Sequence, residues 1–208
     1  MRLVYPFDLP ILPYGFDQLM PVSSEWTVKT HYEVNHAGYV KKSNELLSQK
    51  PAMQDQKLAL LLTHVSGNLF NQLAQHFNHV VWWFSMMPED KTTYEPTPLL
   101  KSMMIRDFGS VQSWRDDFLQ KALKQFGSGW CWLCVEDGKL LNITTANAGI
   151  PNFVNGRVPL LVCDLWEHAY FCDYTTKRKE YIQRWFTILN WNMAEVRLKG
   201  EDQIFNLY

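Results

Sequence analysis

No stretch of the 208-residue sequence carries the roughly 20 consecutive apolar residues that cross a bilayer, so a membrane-spanning helix is not expected. An excess of charge is missing too. Twenty Lys and Arg stand against 21 Asp and Glu, a formal net charge of -1, which disfavours a nucleic-acid groove or a membrane-surface patch as the main business. The first residues reach Pro6, Asp8 and Pro10 at once, leaving no room for the apolar core of a secretory leader, so the chain is expected not to be secreted; no transit peptide is visible. Cysteine is scarce. Cys131, Cys134, Cys163 and Cys172 lie in or beside apolar strand-like segments and read as small hydrophobes in a reducing compartment, mitochondrial or cytoplasmic. Cys131-x-x-Cys134 resembles a zinc or thiol-redox spacing, but positions i and i+3 of a strand face opposite ways, which favours core filling. Internal repeats and low-complexity segments are also absent.

What the chain has is apolar material: 47% hydrophobic and 14% aromatic residues, enough for a substantial core in one large or two small domains. Residues 1–20, with Pro6, Pro10, Pro13 and Gly15 among aromatic and aliphatic residues, read as an extended arm. A helix is expected from Ser23-Ser24 to about Ser48, with His31, Asn35, Gly38 and Tyr39 on one face. A second helical region should cover about Gln54 to Ser85, interrupted near Ser66-Gly67-Asn68, with Asn71, Gln75, Asn78 and His79 close to one face. The two would form an αα-hairpin. Pro88 to Pro96 is the linker-like stretch, which sets a boundary between residues 1–90 and 91–208. Beyond it the pattern predicts helices over Thr97–Arg106 and Ser110–Phe126, then strands over Trp130–Val135 and Leu140–Thr145 around an Asp137-Gly138 turn. A third strand should end near Asp164, and one helix should run from about Arg178 to Leu198. The fold class is therefore α+β: an N-terminal helical hairpin, then an α/β domain with a small three-stranded antiparallel sheet.

The chemistry gathers around Asp164-Leu165-Trp166-Glu167-His168, directly after the apolar run Val158–Cys163. A strand end places the carboxylate, and one helical turn brings round an imidazole four positions later. Upstream, histidines sit in two helical contexts, His31 and His36 in the first and His76 and His79 in the second. Further imidazoles brought near this carboxylate could share one metal ion with it.

Nearly the whole chain resembles the iron/manganese superoxide dismutase family. The resemblance rests on the arm ending Leu12-Pro13-Tyr14, on His31-Tyr32, and on Phe70-Asn71 through Asn78-His79. It continues through Phe108-Gly109-Ser110, Phe126-Gly127-Ser128-Gly129-Trp130 and the Asp164–Tyr170 segment. It implies one metal held by His31, His79, Asp164 and His168, and conversion of superoxide to dioxygen and hydrogen peroxide. It also assigns supporting roles. Gln75 matches the glutamine that bonds coordinated solvent in iron-type members, Tyr39 the tyrosine at the substrate entrance, and His36 a nearby active-site histidine. Trp83, Trp130 and Trp166 match an aromatic wall, and Arg178 an arginine near the entrance funnel. Glu167 matches a glutamate that bonds the metal-binding histidine, here His168, of the other subunit. With Gln75 on the second helix and the small Ala148 in the strand-to-loop region, the implied metal is iron rather than manganese.

Asn35 stands where the family usually has histidine, Phe171 where it has tyrosine, Val81-Trp82 where it has phenylalanine-tyrosine, and Thr175-Thr176 where it has arginine-asparagine. The expected assembly is accordingly a homodimer, or a heterodimer with a related chain, through Glu167. A second reading is a dismutase-like structural subunit of a larger assembly such as a mitochondrial ribosome. His64 and His76 fit no part of the pattern and read as ordinary structural or surface residues, and Trp26, Trp114, Trp185 and Trp191 as core or interface.

Overall fold

The computed structural model describes residues 1–152 and 156–205. Part of the loop expected between the second and third strands, residues 153–155, and the last three residues lie outside them. Ser24 starts the first helix for a local reason: it sits in extended conformation and its hydroxyl accepts the Thr27 N–H at 3.2 Å. From there α1 (Glu25–Thr30) passes into a π-helical segment (His31–His36) and on into α2 (Ala37–Ser48). The ends are as the caps predict. The interior is not the uninterrupted α-helix expected. Two residues five apart point about 140° away from each other in an α-helix, but the wider i→i+5 winding turns the chain less per residue. His31 and His36 therefore share the buried face, at 1% and 0% exposure, while Asn35 is half-buried and Gly38 exposed.

A short α3 (Leu58–Leu61) precedes α4 (Gly67–Phe84), and α2 packs against α4 as the expected hairpin. The expected interruption is there, over residues 62–66, and Gly67 lies at its end. It opens α4 with φ of +63°, which its missing Cβ permits. From Leu73 to Trp83 every residue of α4 is buried, including the polar Gln75, His76, Asn78 and His79. Asn71, in contrast, is exposed and takes no part. A helix wrapped on all sides that still carries amides and imidazoles holds them for a specific arrangement, because each buried polar group requires a partner.

The second half follows its local signals closely. Thr97 caps α5 (Pro98–Phe108) and Ser110 caps α6 (Val111–Lys124). Strands β1 (Gly129–Glu136) and β2 (Lys139–Ala146) close around Asp137 and Gly138, both at positive φ as a tight hairpin requires. Strand β3 (Val158–Asp164) pairs on the other side of β1, giving the order β2-β1-β3 with both pairings antiparallel. Then come α7 (Glu167–Tyr174), α8 (Arg178–Trp185) and α9 (Trp191–Leu198). The single C-terminal helix expected from the sequence is thus broken. Leu189 turns extended and bridges Met86, and the Asn190 side chain caps α9 by accepting the Met193 N–H. Cys131, Cys134 and Cys163 are buried free thiols, as expected. Cys172 is instead exposed on α7, whose Phe171–Asp173 stretch faces away from the core, and Trp26 is 69% exposed rather than core.

One buried arginine holds β3 in place. The register of β3 against β1 skips Leu160, a bulge that leaves one residue outside the ladder. Arg197 Nη1 donates to the Leu160 carbonyl at 2.9 Å and to Ser85 Oγ at 3.0 Å, and Nη2 donates to Val81 O at 3.1 Å. Its Nε pairs with Asp202 at 3.0 Å. Helix α9, the end of α4 and the strand that delivers Asp164 are thereby tied at one point. Replacing Arg197 with Met keeps the aliphatic stem but strands these buried carbonyls, which costs about 3 kcal/mol. Thermal unfolding should show a midpoint lower by roughly 6–12 °C at this chain length; an unchanged midpoint would show that other groups take up the carbonyls.

Candidate metal centre

Four elements from both halves of the chain meet at one point. The π segment supplies His31, α4 supplies His79, the end of β3 supplies Asp164 and the first turn of α7 supplies His168. Their donor atoms all lie within 4.8 Å of one another. His31 Nε2 and His79 Nε2 are 2.8 Å apart. Asp164 Oδ2 lies 3.4 Å from His31 Nε2, 3.4 Å from His168 Nε2 and 4.0 Å from His79 Nε2. Donors about 2.1 Å from one ion and 90–120° apart stand about 3.0–3.6 Å from each other; the two 3.4 Å spacings match this, and the 2.8 and 4.0 Å spacings lie just to either side of it. The first three groups are buried; the His168 side chain is 20% exposed.

Two of the donors, Asp164 and His79, are aimed by a bond on their far side. Asp164 Oδ1 accepts the Trp166 N–H at 2.8 Å, which turns Oδ2 toward the imidazoles. The His79 Nδ1–H donates to the Gln75 carbonyl one turn back at 2.6 Å, so Nε2 presents a lone pair to the centre. Asp164 Oδ2 and His168 Nε2 have no hydrogen-bond partner although both atoms are buried. A cation satisfies both at once; nothing else in the described residues does.

Burial pushes the Asp164 carboxyl up, but the His168 and His31 rings beside it hold it below the usual carboxylate range. Burial, then His168, lowers His31 to about 4 against the opposing pull of Asp164. Burial and the neighbouring His31 likewise hold His79 well below its ordinary value. At neutral pH the cluster therefore offers an anionic carboxylate with neutral His31 and His79 rings, the protonation state that metal ligation needs.

Aromatic rings wall the centre. Trp82 and Trp83 lie 4.5 and 5.1 Å from the His31 ring, Trp130 lies 5.1 Å from His79, and Trp166 stacks on His168 at 5.5 Å. Gln75, 2% exposed, has its amide oriented by chemistry. An indole N–H only donates, so the Trp130 Nε1–H at 3.2 Å must meet Oε1, and Nε2 then donates to the Tyr39 hydroxyl at 3.2 Å. Burial raises the Tyr39 pKa, more than the Gln75 bond lowers it, and keeps the phenol protonated. His36 is buried with its ring stacked on His79 at 5.1 Å. The Arg178 guanidinium donates to Tyr170 Oη and to the carbonyls of Gln125, Gly127 and Leu165, neutral acceptors that fix its position and leave its charge in place. Two residues near the centre escaped sequence reading: Trp82, treated only as a departure, and His76, which is buried. Both lie three positions from His79 on α4, the spacing at which helix neighbours meet.

A helical hairpin and a three-stranded α/β unit that together bury three imidazoles and a carboxylate define a mononuclear metal protein. The similarity to known proteins is extensive. Residues 6–87 match the alpha-hairpin domain of iron/manganese superoxide dismutases, and residues 96–197 match their C-terminal domain. The chain belongs to the iron/manganese superoxide dismutase family. It is 40% identical over 195 residues to "Superoxide dismutase [Fe]" of Babesia bovis, covering 93% of this chain and 96% of the relative. To "Superoxide dismutase [Fe]" of Legionella pneumophila it is 38% identical over 196 residues, covering 93% and 99%. To "Superoxide dismutase [Mn/Fe]" of Rickettsia conorii it is 38% identical over 199 residues, covering 93% and 94%.

Removing one donor should empty this centre without unfolding the hairpin. His79→Ala leaves α4 packed through Leu73, Phe77 and Trp83, so circular dichroism should retain most of the helical signal. Bound metal and activity should both be lost. A variant that kept stoichiometric metal would remove His79 from the site.

Proposed function

We propose that the chain converts superoxide to dioxygen and hydrogen peroxide at a single iron ion held by His31, His79, Asp164 and His168. The observation that carries this reading is the convergence of four donor atoms within 4.8 Å, two of them buried without any other partner. The ion, when bound, supplies the one-electron oxidation and reduction. The chain's own residues do the rest. Gln75 Oε1 bonded to Trp130 and Gln75 Nε2 bonded to Tyr39 form a line of directed donors from the aromatic wall to the half-buried phenol. A protonated Tyr39 hydroxyl is placed to deliver or order a proton as peroxide forms. The tryptophan wall limits water at the ligands and strengthens each electrostatic contact within. The intact donor set favours an enzyme over a structural subunit.

Iron is the metal this arrangement supports. The amide that would meet a coordinated solvent comes from Gln75 on α4, whereas the strand-to-loop side offers only the buried methyl of Ala148. The names of the Babesia and Legionella relatives agree; that of the Rickettsia relative admits both metals. Reconstitution with each metal decides it. Iron-loaded protein should be the active form, and full activity with manganese but none with iron would contradict the assignment. Free, buried Cys131 and Cys163, Cα partners across β1 and β3, support a reducing location, mitochondrial or cytoplasmic. Residues 1–90 and 91–208 are the two domains on this reading.

The same reading places a subunit interface on the outer face of α7. Glu167 and Phe171 are exposed there, and α7 packs against α1, which leads into the exposed Val34 and half-buried Asn35. Glu167 is positioned to bond the partner subunit's His168, a charge-assisted contact. Phe171 has no hydroxyl for the Asn35 amide to bond, so pairing with an identical copy should be looser than that bond would make it, and a related chain with a tyrosine there would pair more tightly. Sedimentation over a dilution series should show dissociation well above nanomolar concentration. A dimer that persists to low nanomolar concentration would show that these two positions do not weaken pairing.

A further inference from the structure

His76 takes no part in the donor cluster, yet it is fully buried and hydrogen-bonded to His36, with His36 Nε2 and His76 Nδ1 2.8 Å apart. The protons of this pair can be placed from donor chemistry. The Trp83 Nε1–H points at His36 Nδ1 at 3.0 Å. Because an indole N–H only donates, His36 Nδ1 presents its lone pair and the ring is neutral with its hydrogen on Nε2. That hydrogen is donated to His76 Nδ1. His76 must then carry its own hydrogen on Nε2, an atom that is buried without a partner. The bonds run one way, from Trp83 to His36 to His76. The reverse order would set two N–H groups against each other at Trp83. Nor is the pair a proton relay, since the chain ends on an indole that does not give up its hydrogen at ordinary pH.

His36 is the hinge of this arrangement. Its ring lies over His79, with 5.1 Å between centroids and 23° between planes, and its Nδ1 holds the Trp83 indole, which stands 5.1 Å from His31. We propose that His76 is a positioning residue whose Nδ1 holds His36 in one tautomer and one orientation, and through His36 braces the His79 ring and the Trp83 indole at the metal centre. A leucine at position 76 would fill similar space without leaving a buried N–H unpaired. What it would lack is the acceptor. The effect on the ion rests on the metal-centre reading above; the order of protons does not.

The test has two arms. Neutron diffraction from crystals of the protein as isolated, exchanged into deuterium oxide, should place deuterium on His36 Nε2 and His76 Nε2 and none on His36 Nδ1. Deuterium on His76 Nδ1 overturns the proposal. The second arm measures metal release to a chelator from wild type, His76→Leu and His76→Asn, the asparagine offering an amide oxygen where Nδ1 was. His76→Leu should release metal about three to ten times faster, somewhat below the effect of removing a ligand's direct partner. His76→Asn should return to within about twofold of wild type, as a hydrogen-bond role requires. A leucine variant that releases metal at the wild-type rate, or an asparagine variant as fast as leucine, overturns it. If wild type itself held no metal, the metal-centre reading would fail, and the neutron arm alone would decide the proton order and with it this proposal.

Discussion

Asp164 Oδ2 is a buried carboxylate oxygen facing three imidazole nitrogens with no hydrogen-bond donor of its own, and the architecture makes sense around that fact. Burying an unpaired charge is expensive, and a shared cation is what turns the arrangement from a penalty into a strong site. Two donors come from the helical hairpin and two from the strand and helix that follow. An ion bound among them therefore links the two halves of the chain directly. Stability and metal loading are coupled for the same reason, since ligands drawn together without the ion repel or strand one another.

Around that point, directionality rather than strength sets the geometry. Trp130 can only donate to Gln75, and Trp83 only to His36, so the orientation of an amide and the tautomer of a ring are decided without ambiguity. The two arginines work at a distance from the chemistry. Arg197 satisfies the carbonyl exposed by the β3 bulge, and Arg178 gathers carbonyls before and after the sheet, Leu165 among them, the residue next to Asp164. Both convert positive charge into fixed backbone position, which is what a site needing sub-ångström placement demands.

Much of this was legible in the sequence because it rests on local chemistry. Ser24, Thr97 and Ser110 cap helices where their hydroxyls predict, and Asp137-Gly138 turns the hairpin. The four donors were found through residue type, spacing and family resemblance together. What stayed hidden depends on tertiary context. A π segment has no composition of its own, so the shared face of His31 and His36 could not be read from three- and four-residue spacing. The Leu160 bulge and the break at Leu189 are set by Arg197, Met86 and Asn190, partners far apart in sequence. The bonds that fix Arg178 could not be read from spacing, because its acceptors lie before β1, after β3 and on α7. Trp82 and His76 were visible as neighbours of His79, and only burial shows that they touch the centre's own rings and their supports.

The most direct measurement is anomalous scattering at the iron absorption edge from crystals of the iron-loaded protein. One peak per chain is expected, within bonding distance of His31 Nε2, His79 Nε2, Asp164 Oδ2 and His168 Nε2, at about 2.1 Å from each. A peak elsewhere, such as beside the Cys131–Cys163 pair, or none in protein that disproportionates superoxide, would contradict the account.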